Sequence, residues 1–127
     1  MALFNESKKL ITIQKREKLN NVYALDELGN GGANHMYAIV GITDQSDDVA
    51  TVIDFQNGPR NAEGSKHGVL DVDLLEIVKH RLTAFQAGPY ACEENDKALQ
   101  HITEALLWMN KRVEDRIERN ILGKNEK

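Results

Sequence analysis

Leu74-Leu75-Glu76-Ile77-Val78-Lys79-His80-Arg81-Leu82-Thr83-Ala84-Phe85-Gln86-Ala87-Gly88-Pro89 is the stretch on which the reading of the fold turns. Leu74, Leu75, Val78, Leu82 and Phe85 recur at three- and four-residue steps, with Glu76, Lys79, His80 and Arg81 largely to the sides, as an amphipathic helix requires. Asp71 or Asp73 is its expected N-cap. Gly88 and Pro89 stop it: glycine supplies a positive φ without steric cost, and proline lacks the N–H needed to extend the element before it. A second helix is expected from near Pro89, with Leu99, Ile102, Leu106, Met109, Val113 and Ile117 as its stripe. Glu93, Glu94 and Asp96 suit the positive end of its dipole, Lys111 and the later arginines suit the negative end, and Leu122-Gly123-Lys124 marks its stop. Residues 69–123 therefore read as a helical hairpin.

Working upstream, the same phrase occurs once more, as Phe55-Gln56-Asn57-Gly58-Pro59, thirty residues earlier. It closes a run of extended segments. Val22-Tyr23-Ala24-Leu25, Met36 to Ile42 and Val49 to Phe55 read as strands, separated by the turn clusters Leu28-Gly29-Asn30-Gly31-Gly32 and Asp44-Gln45-Ser46-Asp47-Asp48. Residues 22–59 are then an antiparallel meander and residues 60–68 a polar loop. Residues 1–21, with Lys8, Lys9, Lys15, Arg16 and Lys18 around Leu10-Ile11-Thr12-Ile13, read as an arm or an edge strand. The expected class is α+β: a small N-terminal antiparallel sheet followed by a C-terminal two-helix hairpin.

At 127 residues the chain fits a single domain. Its net charge of −4 offers no overall field for long nucleic acid, so any anion site must be local. Cys92 is the one cysteine, which excludes an intrachain disulfide and a tetrathiolate zinc site and suits a reducing interior. No apolar run reaches the roughly twenty residues of a membrane span, and Met1-Ala2-Leu3-Phe4-Asn5-Glu6 turns polar too soon for a secretory signal. A soluble cytoplasmic protein is expected.

Most familiar catalytic signatures are missing. Gly29-Asn30-Gly31-Gly32 lacks the lysine and Ser/Thr of a phosphate-cradling loop and leads into a strand, so it reads as a turn. His35, His67, His80 and His101 show no metal-ligand spacing, and Cys92 has no base beside it in sequence. No cofactor, metal or catalytic group is expected. The arginine row is more informative. Arg112, Arg116 and Arg119 fall within a sector of roughly 60° at about 100° per residue. Guanidinium forks onto phosphate oxygens as an ammonium cannot, although ion pairing with Glu114, Asp115 and Glu118 is the plain alternative. Phe85 beside the bend is either a core residue or a stacking platform for a flat base. Asn95 lies close in angle to Leu99 and Ile102, and its amide needs a hairpin contact or a ligand base as partner. Seventeen residues separate Asn95 from Arg112, about 26 Å along a helix. If Phe85 and Asn95 hold a base while Arg112 and Arg116 hold phosphates, the two sets must come from antiparallel helices of different chains, giving two equivalent sites in a twofold dimer.

The stretch from Phe55 to Gly123 resembles the phage anti-Thoeris sponge family. The likeness lies in Phe55-Gln56-Asn57-Gly58-Pro59, in Arg81 through Asn95, in Ala98-Leu99 and Leu107-Trp108, in Arg112-Val113-Glu114-Asp115-Arg116, and in the closing Gly123. Asn34-His35-Met36-Tyr37 is similar as well. The resemblance implies a homo-oligomer, a dimer or larger, that sequesters a cyclic ADP-ribose isomer, notably glycocyclic ADP-ribose, without cleaving it, inside the infected bacterial host. It implies that Phe85 and Asn95 flank the adenine and that Arg112 and Arg116 neutralise the pyrophosphate, with Arg119, Gln86 and Arg60 as further candidates. Some members of that family also resemble sponges for cyclic di- or trinucleotides, and the Arg60 region is the candidate for such a site here.

Overall fold

The alternation in the N-terminal half does produce strands. In the computed structural model, which describes residues 4–42 and 49–123, β1 (Asn20–Ala24), β2 (Met36–Gly41) and β3 (Val49–Asp54) form one antiparallel sheet in the order β1-β2-β3. A register irregularity falls between Ile39 and Val40. The turn expected at residues 44–48 lies outside the described residues. α1 (Asp71–Gln86) and α2 (Glu93–Glu118) follow, so the class is α+β as the periodicities require. Among the described residues no helix is long and apolar enough to cross a membrane.

The chain divides into two compact units. The first comprises Met1–Gly58 with Gly64–Gly68, and the second Pro59–Glu63 with Val69–Lys127. In the first, Tyr23, Ala38 and Val40 are buried, with Phe4 and Leu25 packed against them. Tyr23 lies opposite Ala38 in the register, and residues 38 and 40 share a face because side chains alternate along a strand. Phe4 stacks on Tyr23 with centroids 5.3 Å apart, which ties the arm to the sheet. The arm itself is a short 3-10 turn, Glu6–Lys8, followed by a single bridge from Lys9 to Tyr23. On the other face Tyr37 meets Phe55 edge-on at 5.6 Å.

Asp26 organises the turn between β1 and β2. Its carboxylate accepts from the N–H groups of His35 and Met36 and from the Asn34 amide, at 3.0 to 3.3 Å. Burial pushes this carboxyl up, but those hydrogen bonds together outweigh it and hold Asp26 below the ordinary carboxylate range. Asn30–Gly32 is a turn, as expected, with Gly31 and Gly32 at φ of 73° and 79°.

Local chemistry shifts three expected boundaries in the second unit. The N-cap of α1 is Leu70, not Asp71 or Asp73, because Asp73 reaches back from the third position and its Oδ2 accepts the Leu70 N–H at 2.8 Å. α2 starts at Glu93, four residues after Pro89, with Cys92 as N-cap and its sulfur accepting the Asn95 N–H at 3.4 Å. Gly88 has no positive φ. That conformation occurs in the first copy of the phrase, where Gly58 sits at φ 94°, whereas α1 ends through Ala87 in an ordinary right-handed conformation.

Candidate functional site

The repeated phrase carries its structural weight in glutamine. At the hairpin bend, Gln86 Oε1 accepts the Cys92 N–H at 3.0 Å while its Nε2 donates to the Cys92 carbonyl at 3.1 Å. One side-chain amide thus mimics a strand pairing and clamps the bend. In the first copy, Gln56 Nε2 donates to Gly58 O at 3.2 Å and its Oε1 accepts from the Gly68 N–H at 3.3 Å. The duplication in sequence is a duplicated backbone clamp. Gln86 is therefore engaged by the bend itself.

Phe85 stands beside that clamp, half-buried. Arg81 lies over its ring at 5.3 Å, and Tyr90, from the bend, meets its edge at 6.3 Å with an interplanar angle of 74°. One aromatic face is thus already held by a guanidinium, a contact worth about 0.5–1 kcal/mol when exposed. Asn95 sits in the first turn of α2, half-buried, and its side-chain amide makes no hydrogen bond among the described residues. Arg81 and Tyr90 were not singled out in the sequence. The spacing of Arg81 and Phe85, four residues apart on one helix, is the signal that could have found the first of them.

The three arginines of α2 occupy three different environments. Arg112 is exposed and forms no ion pair among the described residues. Arg119 pairs with Asp115 at 3.2 Å in an exposed i,i+4 bridge, as the plain alternative has it. Arg116 is 6% exposed, the one buried charged residue among the described residues, and its Nη2 donates to the Ile121 carbonyl at 3.1 Å. The common sector counted from helix geometry does not translate into a common exposure. The chain beyond α2 folds back over Arg116, which periodicity within the helix could not reveal.

That return is a left-handed cap. Asn120 adopts φ 58°, the Ile121 N–H donates to Arg116 O at 2.9 Å, and the Asn120 N–H donates to Ile117 O at 3.0 Å. These are the paired bonds of a Schellman motif. Gly123, at φ 81°, then passes so close to residues 60 and 61 that a Cβ there would lie 3.1 Å from Arg60 Cγ and Nε and 2.6 Å from Asn61 Nδ2. Arg60, exposed, is thus packed beside the end of α2.

Within one chain the bend residues and the distal arginines stay apart, since the helix between them is continuous through its 26 residues. α2 spans roughly 39 Å at 1.5 Å per residue. The hairpin is also underpacked by itself. No apolar residue of either helix is buried, and Leu107 and Trp108 are 66% and 62% exposed, the indole with Lys111 5.1 Å from its centroid.

Residues 47–114, just over half of the chain, match the family described as Acb2/Tad1, hairpin domain, a stretch that contains Phe85, Asn95 and Arg112. The chain is also 38% identical over 99 residues to Thoeris anti-defense 1 of Bacillus phage SBSphiJ7. That match covers 78% of this chain and 66% of the relative. With a family match over the hairpin and a relative this similar, the chain belongs to the Acb2/Tad1 hairpin-domain family, the anti-Thoeris family that its motifs resemble.

Proposed function

We propose that this protein is a phage anti-defence sponge that binds a cyclic ADP-ribose isomer, glycocyclic ADP-ribose, and holds it uncleaved in the host cytoplasm. Thoeris effectors are thereby deprived of their signal. The observation that carries the reading is the coexistence, on one hairpin, of a guanidinium at Arg112 and a side-chain amide at Asn95 that both lack partners among the described residues, together with the Phe85 ring at the bend. Both kinds of group are costly to leave without partners in a closed site, and each suits one end of a nucleotide: amide and ring for the base, guanidinium for the pyrophosphate.

Distance then demands a second copy. About 26 Å of helix separates Asn95 from Arg112, more than one such ligand spans, so the base-binding end of one chain and the phosphate-binding end of another close each site. The exposed Leu107, Trp108 and Ile117 supply apolar surface for that pairing. Arg116 joins Arg112 at the pyrophosphate, Arg119 and Gln86 border the two ends, and the Arg60 region takes a cyclic di- or trinucleotide in a separate site.

The test is recovery. The purified full-length chain is mixed with glycocyclic ADP-ribose, its mass is measured in solution, and the complex is then heated and the supernatant analysed. Intact ligand released from a dimer or larger assembly is the expected result. Degraded ligand would make the protein a hydrolase. No uptake by an intact oligomer would leave the hairpin as a protein-docking module.

A further inference from the structure

We propose that the turn after α2, Asn120 to Gly123, is a positioning element that sets the Arg116 guanidinium in place before ligand arrives. This inference rests on the sponge reading for its functional consequence. Arginine carries one of the most flexible side chains, and ordering it on binding costs affinity. Here the ordering is already done. The Ile121 backbone holds residue 116 at two points, its N–H donating to the Arg116 carbonyl at 2.9 Å and its carbonyl accepting from Arg116 Nη2 at 3.1 Å. A guanidinium has five N–H donors in a planar fork, so a carbonyl held by one nitrogen restricts the orientation of the whole group.

The Ile121 peptide is itself fixed at two points. On one side Asn120 must adopt φ 58°, a left-handed conformation that asparagine and glycine tolerate and β-branched residues do not. On the other, Gly123 lies against Arg60 and Asn61, where a Cβ would come within 2.6 Å of the Asn61 amide. One short turn therefore holds Arg116 and packs on Arg60. Asn120 and Gly123 would touch no ligand; they act through the arginines.

The experiment titrates glycocyclic ADP-ribose into the full chain and into Asn120→Gly, Asn120→Ile, Arg116→Ala and the Asn120→Ile/Arg116→Ala double variant. Asn120→Gly should bind within about twofold of the parent, and Asn120→Ile about tenfold or more weakly. The double variant should bind no more weakly than Arg116→Ala alone, because the turn acts through that side chain; a general structural defect would instead add. Should Asn120→Ile lose helix content or oligomer mass, Asn120→Ala takes its place with the same expected non-additivity. Unchanged affinity in Asn120→Ile, or additive losses, would overturn the proposal. A ligand-free measurement separates this inference from the reading beneath it: proton exchange at Arg116 Nε–H should be slower than at Arg112 and should speed up in Asn120→Ile. Equal exchange at the two arginines overturns the positioning role. Slow exchange in a chain that takes up no ligand refutes the sponge reading, and with it the part of the turn in capture.

Discussion

Replacing Arg112 by alanine should weaken ligand capture while leaving the protein as stable as before. The guanidinium is exposed, is unpaired among the described residues and packs on no ring, so its removal leaves no buried partner unsatisfied. Surface changes of this kind usually alter stability by no more than about 0.5 kcal/mol. The binding loss is another matter. A hydrogen bond to a charged group contributes about 1.5–3 kcal/mol, which corresponds to roughly 10- to 150-fold in Kd. Arg112→Lys should recover only part of this, because an ammonium keeps the charge and loses the fork. Arg116→Ala offers the contrast, since it removes a buried cation bonded to Ile121 O and should also lower stability by about 1–2 kcal/mol. Calorimetric titration with glycocyclic ADP-ribose, paired with thermal unfolding of each variant, reads both quantities. Parent-like affinity in Arg112→Ala would refute the assignment of this residue to the pyrophosphate, and an equal loss of melting temperature in both variants would refute the distinction between a free and a capped arginine.

Two further outcomes concern the frame around the site. Gln86→Ala removes both bonds to the Cys92 backbone and should destabilise the hairpin by about 1–3 kcal/mol, whereas Gln86→Glu keeps the acceptor and loses the donor and should fall between; denaturant titration of the three chains checks the order. Asp26 sets an acid limit. Its folded-state pKa is depressed, so its contribution is present above the unfolded carboxylate value and is lost as pH falls through the folded one. Asp26→Asn should therefore flatten the decline of melting temperature below about pH 4 while lowering stability at neutral pH by about 1–3 kcal/mol, and an unchanged acid profile would remove Asp26 from the turn's energetics.

Much of the architecture was legible in the chain because it rests on periodicity. A period of two gives the sheet, and three- and four-residue steps give both helices, with errors confined to their ends. Those errors share one cause: caps are set by single side chains reaching across a few residues. Asp73 returning to Leu70, Gln86 to Cys92, and Arg116 to Ile121 each place a boundary or bury a charge without leaving a mark in the hydrophobic pattern. The repeated Phe-Gln-x-Gly-Pro drew attention through its glycine and proline, yet the residue common in role to both copies is glutamine, whose amide alone offers donor and acceptor together.

The candidate site was legible in residue type and illegible in environment, and the arginines explain why. Helix geometry gives the angle of a side chain about the axis; it says nothing about what the chain does after the helix ends. Arg112, well inside α2, is exposed and forms no ion pair among the described residues, whereas Arg116, two residues before the helix end, comes within reach of the returning turn. Exposure therefore changes abruptly over a single helical turn. A ligand held by this pair would meet one guanidinium that must be ordered on arrival and another whose position is already fixed. Capture should then carry an entropic cost concentrated at Arg112, and stiffening that residue, not Arg116, is the change from which tighter binding would come.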